Sequence, residues 1–299
     1  MLYLIGLGLG DVEDISVRGL RIARSAVRVY FEMYTSLLQG PDGGVPALEA
    51  LLGRSVIPAD RETLEEKASD ILFGAGDGDV AVLVVGDPMA ATTHSDLILR
   101  AREAGVPVKI LHNASIISAV GCTGLQVYRF GAVVSICFWT ESWRPRSFAQ
   151  HVRENLRRGL HTLCLLDIRV KEPDMTALMR GRKEFEPPRF MTVAQAASQL
   201  LEIVSQPPTA EASDGESTPE GEPTRDVPDC FTPDTLCIGL ARVGLPDEKI
   251  LAAPLRDLID VDMGGPLHSF IVCGGLHPLE LEFVRQFALD LSKLPQAMK

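Results

Sequence analysis

Residues 80–85 read Val-Ala-Val-Leu-Val-Val, an unbroken apolar run closed by Gly86, Asp87 and Pro88. A strand with one face in water would alternate between apolar and polar residues. A strand with no polar face must be covered on both sides, as happens in a parallel sheet flanked by helices. The surrounding sequence predicts the rest of that sheet. Residues 2–7 read as a buried strand broken by glycines, and a helix follows with Ser16 as its cap and Val17, Leu20, Ala23 and Val27 on one face. Residues 27–31 form a second apolar run. Thr63 and Glu66 fit a capping box ahead of a helix through Leu64, Ala68, Ile71 and Leu72. A helix over 96–104, stopped by Gly105, leads to a strand over 106–111. Repeated strand–helix–strand units imply right-handed parallel crossovers, so residues 1–112 are expected to form a first α/β domain.

The remainder, 113–299, has longer connections and predicts a second α/β domain on a mixed sheet. Strands are expected at 131–138, 160–168, 236–241 and 269–273, with a helix over 148–158. Thr192 and Gln195 make a second capping box, and Val193, Ala196, Ala197, Leu200, Leu201 and Val204 trace one helical face. Residues 205–229 hold five prolines and seven acidic side chains against a single arginine, with almost nothing apolar. Such a segment cannot bury enough surface to offset its ordering entropy, so it reads as a disordered acidic insertion.

A formal net charge of −11 argues against a nucleic-acid surface, which needs clustered Lys and Arg. No apolar stretch approaches the ~20 residues that span a bilayer, and the N-terminus lacks the pattern of a signal peptide. A soluble, cytoplasmic protein is the expectation. The six cysteines form no CxxC pair, so they read as reduced core thiols, with no zinc site and no other metal.

Three segments at predicted strand ends carry the functional signal. Gly6-Leu7-Gly8-Leu9-Gly10-Asp11 lies between a strand and a helix, where small residues let backbone approach a nucleotide. Its spacing is GxGxG rather than the dinucleotide GxGxxG. That spacing also suits Rossmann-type methyltransferases, with Glu32 as ribose ligand, and tight packing is an equal reading. Gly86-Asp87-Pro88-Met89-Ala90-Ala91-Thr92-Thr93-His94 follows the strand 80–85, where open sheets bind ligands. Asp87 could accept from a ribose, and His94 either acts in acid–base chemistry or leads into a helix. In 112–118 Ser115 could cap a helix whose N–H groups face a ligand. His268, before the last strand, reads as a structural histidine when taken alone.

Taken together these segments resemble the diphthine synthase family of tetrapyrrole-methylase-like methyltransferases. The resemblance rests on 6–11, 34–36, 86–88 with 91–94, 112–116, 121–126, 161–168, 239–244 and 266–269. It implies a two-domain tetrapyrrole-methylase-like α/β fold with S-adenosylmethionine in the cleft between domains, and a homodimer. It also implies successive methylation of a modified histidine on translation elongation factor 2, four transfers giving the methyl ester. Carried over position by position, the cofactor contacts are Leu9, Asp87, Ala90, Ser115, Ile116, Leu166, Val243 and His268, with backbone contact at Ala90 and Val243. No catalytic base is implied. Two other readings stay open: a tetrapyrrole-precursor methyltransferase, and a cofactor-binding module without turnover.

Overall fold

The computed structural model describes residues 1–38, 44–170, 185–205 and 231–295, which divide into two compact units. The first unit takes in Met1–Ala119, the described parts of Ile168–Arg189, and Arg242–Glu248. The second takes in the described parts of Val120–Asp167, Phe190–Ala241 and Lys249–Lys299.

The first unit is built on β1 (Leu2–Gly6), β2 (Arg28–Glu32), β3 (Ile57–Ala59), β4 (Val80–Val84) and β5 (Val108–Leu111), in the order β3-β2-β4-β1-β5. Every pairing in it is parallel. All five residues of β4 are buried, and the two faces of the strand explain why. Val80, Val82 and Val84 pack with Ile71 and Leu97 on one side. Ala81 and Leu83 pack with Ala23 and Leu48 on the other. The helices that cover these faces are α1 (Val17–Ser25), α2 (Val45–Leu52), α3 (Ala68–Asp77) and α4 (Ser95–Glu103). A short α5 (Ile116–Ala119) follows β5.

Two local expectations need correction. Ser16 does cap α1, accepting from the Gly19 N–H at 3.1 Å, but the buried face runs through Gly19 and Ala23, and Val17 is 85% exposed. Gly19 turns inward because a Cβ there would come within 2.7 Å of Ile5 Cγ2, so helix and strand are closer than a side chain allows. Thr63 is not a cap. Asp60 Oδ1 accepts from both the N–H and the hydroxyl of Thr63, and residues Glu62–Glu66 form one wide turn ahead of α3.

The second unit holds β6 (Val134–Ile136), β7 (Thr162–Leu166), β10 (Leu236–Ala241), β11 (Lys249–Pro254) and β12 (His268–Val272), in the order β11-β10-β12-β7-β6. Only β6 and β7 are parallel, so the sheet is mixed, and β11 is a strand the sequence did not announce. A separate two-residue ladder joins β8 (Ile168–Arg169) to β9 (Arg189–Phe190). Covering helices are α6 (Ser147–Arg157), α7 (Val193–Ser205) and α8 (Pro278–Val284). The capping box ahead of α7 is present in both directions, Thr192 N–H to Gln195 Oε1 and Gln195 N–H to Thr192 Oγ1. The acidic stretch beyond Ser205 lies outside the described residues.

A buried hydrogen-bonded cluster around Glu280 ties the second unit together. Glu280 Oε1 accepts from the Gln126 N–H at 2.8 Å and from His161 Nε2 at 3.3 Å, and Oε2 accepts from the His277 N–H. His161 Nδ1 accepts from the Gly274 N–H at 3.0 Å, so the ring is neutral with its proton on Nε2. Burial holds this imidazole below its ordinary pKa despite the neighbouring carboxylate. Burial works to raise Glu280, but the donated N–H groups and His161 outweigh it and hold the carboxyl low. Cys164, Cys237 and Cys273 are buried, and desolvation pushes all three thiols well above their ordinary value. Among the described residues no cluster could hold a metal ion.

Candidate cofactor site

The loops at the carboxyl ends of β1, β4 and β5 are locked to one another. Gly8 and Gly86 exchange two backbone hydrogen bonds, 2.7 Å from the Gly86 N–H and 3.3 Å from the Gly8 N–H. Space there is short: a Cβ on Gly6 would lie 2.6 Å from the Gly86 carbonyl oxygen and 2.7 Å from Asn113 Cβ. Asn113 Nδ2 donates to the carbonyls of Gly6 and Asp14, both at 3.0 Å. Asp14 Oδ2 in turn accepts from the Gly10 N–H at 2.7 Å. The glycines therefore serve close approach of three chain segments, not a phosphate cradle. Asn113 and Asp14 are structural members of this constellation that sequence reasoning missed. Their only signal was position, an Asn at a strand end and an Asp in the turn before a helix.

Asp87 is the polar centre of the group. Its Oδ1 accepts from the Met89 N–H at 2.8 Å, and Oδ2 accepts from the Asn113 N–H at 3.0 Å and from His112 Nδ1 at 2.8 Å. Burial works to raise this carboxyl, but the two backbone N–H groups and His112 outweigh it, so it sits below the usual carboxylate range. Ala90, half-buried, donates its N–H to the Asp87 carbonyl. Ala91 holds φ at 59°, a left-handed conformation that L-residues avoid. Arg242, beside Val243, is the other such residue among those described, at 52°. Strain of this kind persists where surrounding structure over-determines it, often beside ligand sites.

Ser115 caps α5 through its carbonyl, which takes the N–H groups of Ser118 and Ala119, and Ile116 opens the helix. A Cβ built on Gly86 would sit in ordinary van der Waals contact with Ser115 Cβ at 3.8 Å, so the Gly86 backbone packs beside Ser115. Leu9 is half-buried and lies against Gly244, whose built Cβ would be 3.3 Å from Leu9 Cβ. Thus Leu9, Asp87, Ala90, Ser115, Ile116 and Val243 all belong to the first unit. Leu166 and His268 belong to the second, on neighbouring antiparallel strands and one step beyond the Leu165–Ser269 pair. Both ring nitrogens of His268 are engaged. Nδ1 accepts from the Val193 N–H at 3.2 Å, and Nε2 faces the carbonyls of Gly264 and Gly265 at 3.2 and 2.9 Å.

Glu32 does not present itself as a ribose ligand. It is 1% exposed, and its carboxylate is consumed by the N–H groups of Tyr34 and Thr35 and by the Thr35 hydroxyl. His94 is 2% exposed; Nδ1 bonds the Pro88 carbonyl at 3.1 Å, and Nε2 has no partner among the described residues.

The family model for tetrapyrrole (corrin/porphyrin) methylases matches residues 1–212. The diphthine methyl ester synthase of Homo sapiens is 52% identical over 290 residues, 97% of this chain and 95% of that protein. The protein of the same name in Schizosaccharomyces pombe is 46% identical over 300 residues, 100% of this chain and 98% of that one. Among solved structures, a crystal structure of diphthine synthase superposes with a TM-score of 0.77 at 33% identity, covering 98% of this chain and 99% of that one. Fold and sequence agree with the architecture expected from the motifs. The chain belongs to the tetrapyrrole (corrin/porphyrin) methylase family, in the branch of the diphthine methyl ester synthases.

Proposed function

We propose that the chain is an S-adenosylmethionine-dependent methyltransferase of diphthamide biosynthesis. It methylates the modified histidine of translation elongation factor 2, and four transfers give diphthine methyl ester. The observation that carries this reading is the match, near half identity over almost the whole length, to relatives of that name. Those relatives are named for diphthine and not for a tetrapyrrole, which favours the protein substrate over a macrocycle. The reading includes a homodimer in the cytoplasm; no described helix is long and apolar enough to cross a membrane.

The chemistry of the donor set supports the cofactor. The segments 6–14, 86–94 and 112–118 contain Asp and Glu but no Lys or Arg. A pyrophosphate would find no cation there, whereas an adenosyl group carrying a positive sulfonium needs none. Leu9 and Ile116 offer apolar walls, and Ala90 and Val243 offer backbone. Ser115 lies beside the Gly86 backbone, and Asp87 keeps lone-pair capacity on Oδ1 for a hydroxyl. The resemblance also assigns Leu166 and His268 of the second unit, where His268 braces the carbonyls of Gly264 and Gly265.

When bound, the cofactor supplies a methyl group already activated for displacement. The protein's task is to place a neutral amine, or a partly desolvated carboxylate, in line with it. The test is incubation with labelled S-adenosylmethionine and elongation factor 2 carrying the unmethylated precursor. Failure to label the factor refutes the reading. Replacing Asp87 with Ala should weaken cofactor binding by about tenfold or more, since it frees three donors at once. Unchanged affinity by calorimetry would remove Asp87 from the site.

A further inference from the structure

At the carboxyl edge of the first sheet, β3, β2 and β4 lie side by side, and the segments that leave these three strands meet through the side chains of Glu65, Tyr34 and Thr93. Tyr34 Oη and Thr93 Oγ1 are 3.3 Å apart, and Thr93 Oγ1 donates to Glu65 Oε1 at 3.2 Å. A hydroxyl has one proton. Since Thr93 gives its proton to Glu65, the Tyr34 hydroxyl is the donor in the first bond. The chain therefore has a direction, Tyr34 to Thr93 to Glu65. It starts on a side chain whose residue is 8% exposed and ends on a carboxylate that is 39% exposed. Among the described residues Tyr34 Oη has no other partner, so its lone pairs are available to a donor. Thr93 is three residues from Ala90, in the loop that carries Asp87.

We infer that Tyr34, Thr93 and Glu65 form a proton relay that drains the substrate amine during methyl transfer to nitrogen. This rests on the function proposed above. An amine arrives protonated at neutral pH and must lose one proton before each transfer to nitrogen; a carboxylate loses none. In the relay an ammonium N–H bond breaks and its proton goes to Tyr34 Oη, leaving the electron pair on nitrogen. The Tyr34 proton passes to Thr93 Oγ1, the Thr93 proton passes to Glu65, and Glu65 releases it to water. Nothing is oxidised or reduced, and Tyr34 remains a neutral phenol. Burial keeps it one: desolvation raises its pKa, the Thr93 bond lowers it, Glu32 and Glu65 raise it further, and Arg61 lowers it. Arg61 is the facing cation, 5.4 Å from the ring centroid and 3.6 Å from Glu65.

The test compares Thr93→Val, Thr93→Ser, Tyr34→Phe and Glu65→Gln with the wild type on the protein substrate. Mass spectrometry counts methyl groups, and mild alkali separates the labile ester from N-methyl groups. Expected are N-transfer rates reduced about tenfold or more in T93V, Y34F and E65Q, the lower end of general acid–base effects. Ester formation stays within about twofold on the same scale, and T93S regains the N-transfers. The deficit shrinks from about pH 7 to pH 9, where solvent takes over the proton. Without substrate, ultraviolet titration of the four tyrosines should show one phenol displaced upward in T93V, with cofactor affinity unchanged. Equal slowing of N- and O-transfer, or no slowing of either, overturns the relay. Absence of any transfer by the wild type would instead refute the proposed function itself.

Discussion

Replacing Gly6 with Ala tests whether the three-loop lock is as tight as its distances state. The added methyl would lie 2.6 Å from a backbone oxygen of Gly86, 2.7 Å from Asn113 Cβ and 3.2 Å from the Asn113 N–H nitrogen. None of these atoms is the end of a flexible side chain, so backbone must move. Overpacking of this kind costs about 1–3 kcal/mol. Moving Gly86 also strains its two hydrogen bonds with Gly8, at about 0.5–1.5 kcal/mol each if they break. The expected loss is about 2–6 kcal/mol, which at about 2–4 °C per kcal/mol lowers the melting temperature by roughly 4–24 °C. The assay is denaturation of the full chain with and without S-adenosylmethionine. Gly265→Ala is the control, because a Cβ there meets nothing within 4 Å, and it should stay within about 0.5 kcal/mol. If G6A unfolds within about 1 kcal/mol of the wild type and binds cofactor normally, the lock does not constrain the site and the argument fails.

His94 can be dissected by its two nitrogens. Asn at 94 can still donate to the Pro88 carbonyl from the position of Nδ1, whereas Gln cannot, so H94N should lose less than about 1 kcal/mol and H94Q about 1–3 kcal/mol; equal losses would refute the tether. Acid should loosen the second unit. His161 is neutral when folded because its pKa lies below the ordinary 6.5, so its contribution is complete above that value and declines as pH falls below it. Glu280, also depressed, adds a loss of stability once pH falls below the ordinary carboxylate value. Urea midpoints taken between about pH 8 and about pH 4, a window that brackets ordinary histidine and carboxylate titration, should therefore fall in two stages. The lower stage should shrink in Glu280→Gln, leaving the part that the depressed Asp87 carboxyl contributes.

Features set by neighbouring residues were legible in the sequence. The run 80–85 announced a strand with two apolar faces, and the faces proved to be those of alternate residues against separate helices. Ser16 and the Thr192–Gln195 pair were readable because a cap involves side chains within one turn. Thr63 misled because Asp60, three residues earlier, is an equally good acceptor, and only the path of the chain decides between them. Glu32 misled because nothing in spacing says that a carboxylate will close on the next turn of its own chain. β11 escaped because Lys249-Ile-Leu-Ala-Ala-Pro254 has little strand character alone; pairing along the full length of β10 makes it one. Tyr34, Thr93 and Glu65 lie 59 and 28 residues apart in their two contacts, a separation that only the parallel crossovers close.

The return of Arg242–Glu248 to the first unit has a consequence for how the protein is made. Gly244, with φ at 91°, lies against Leu9 and Gly10, yet more than two hundred residues separate it from them in the chain. During synthesis at the ribosome the parallel sheet can assemble once β5 has emerged, but Leu9 must wait for a late segment to cover it. The glycine turn thus stays open through most of translation. Folding of the amino-terminal sheet is early, while completion of its glycine-turn edge is among the last events, and it cannot precede synthesis of the second sheet's β10.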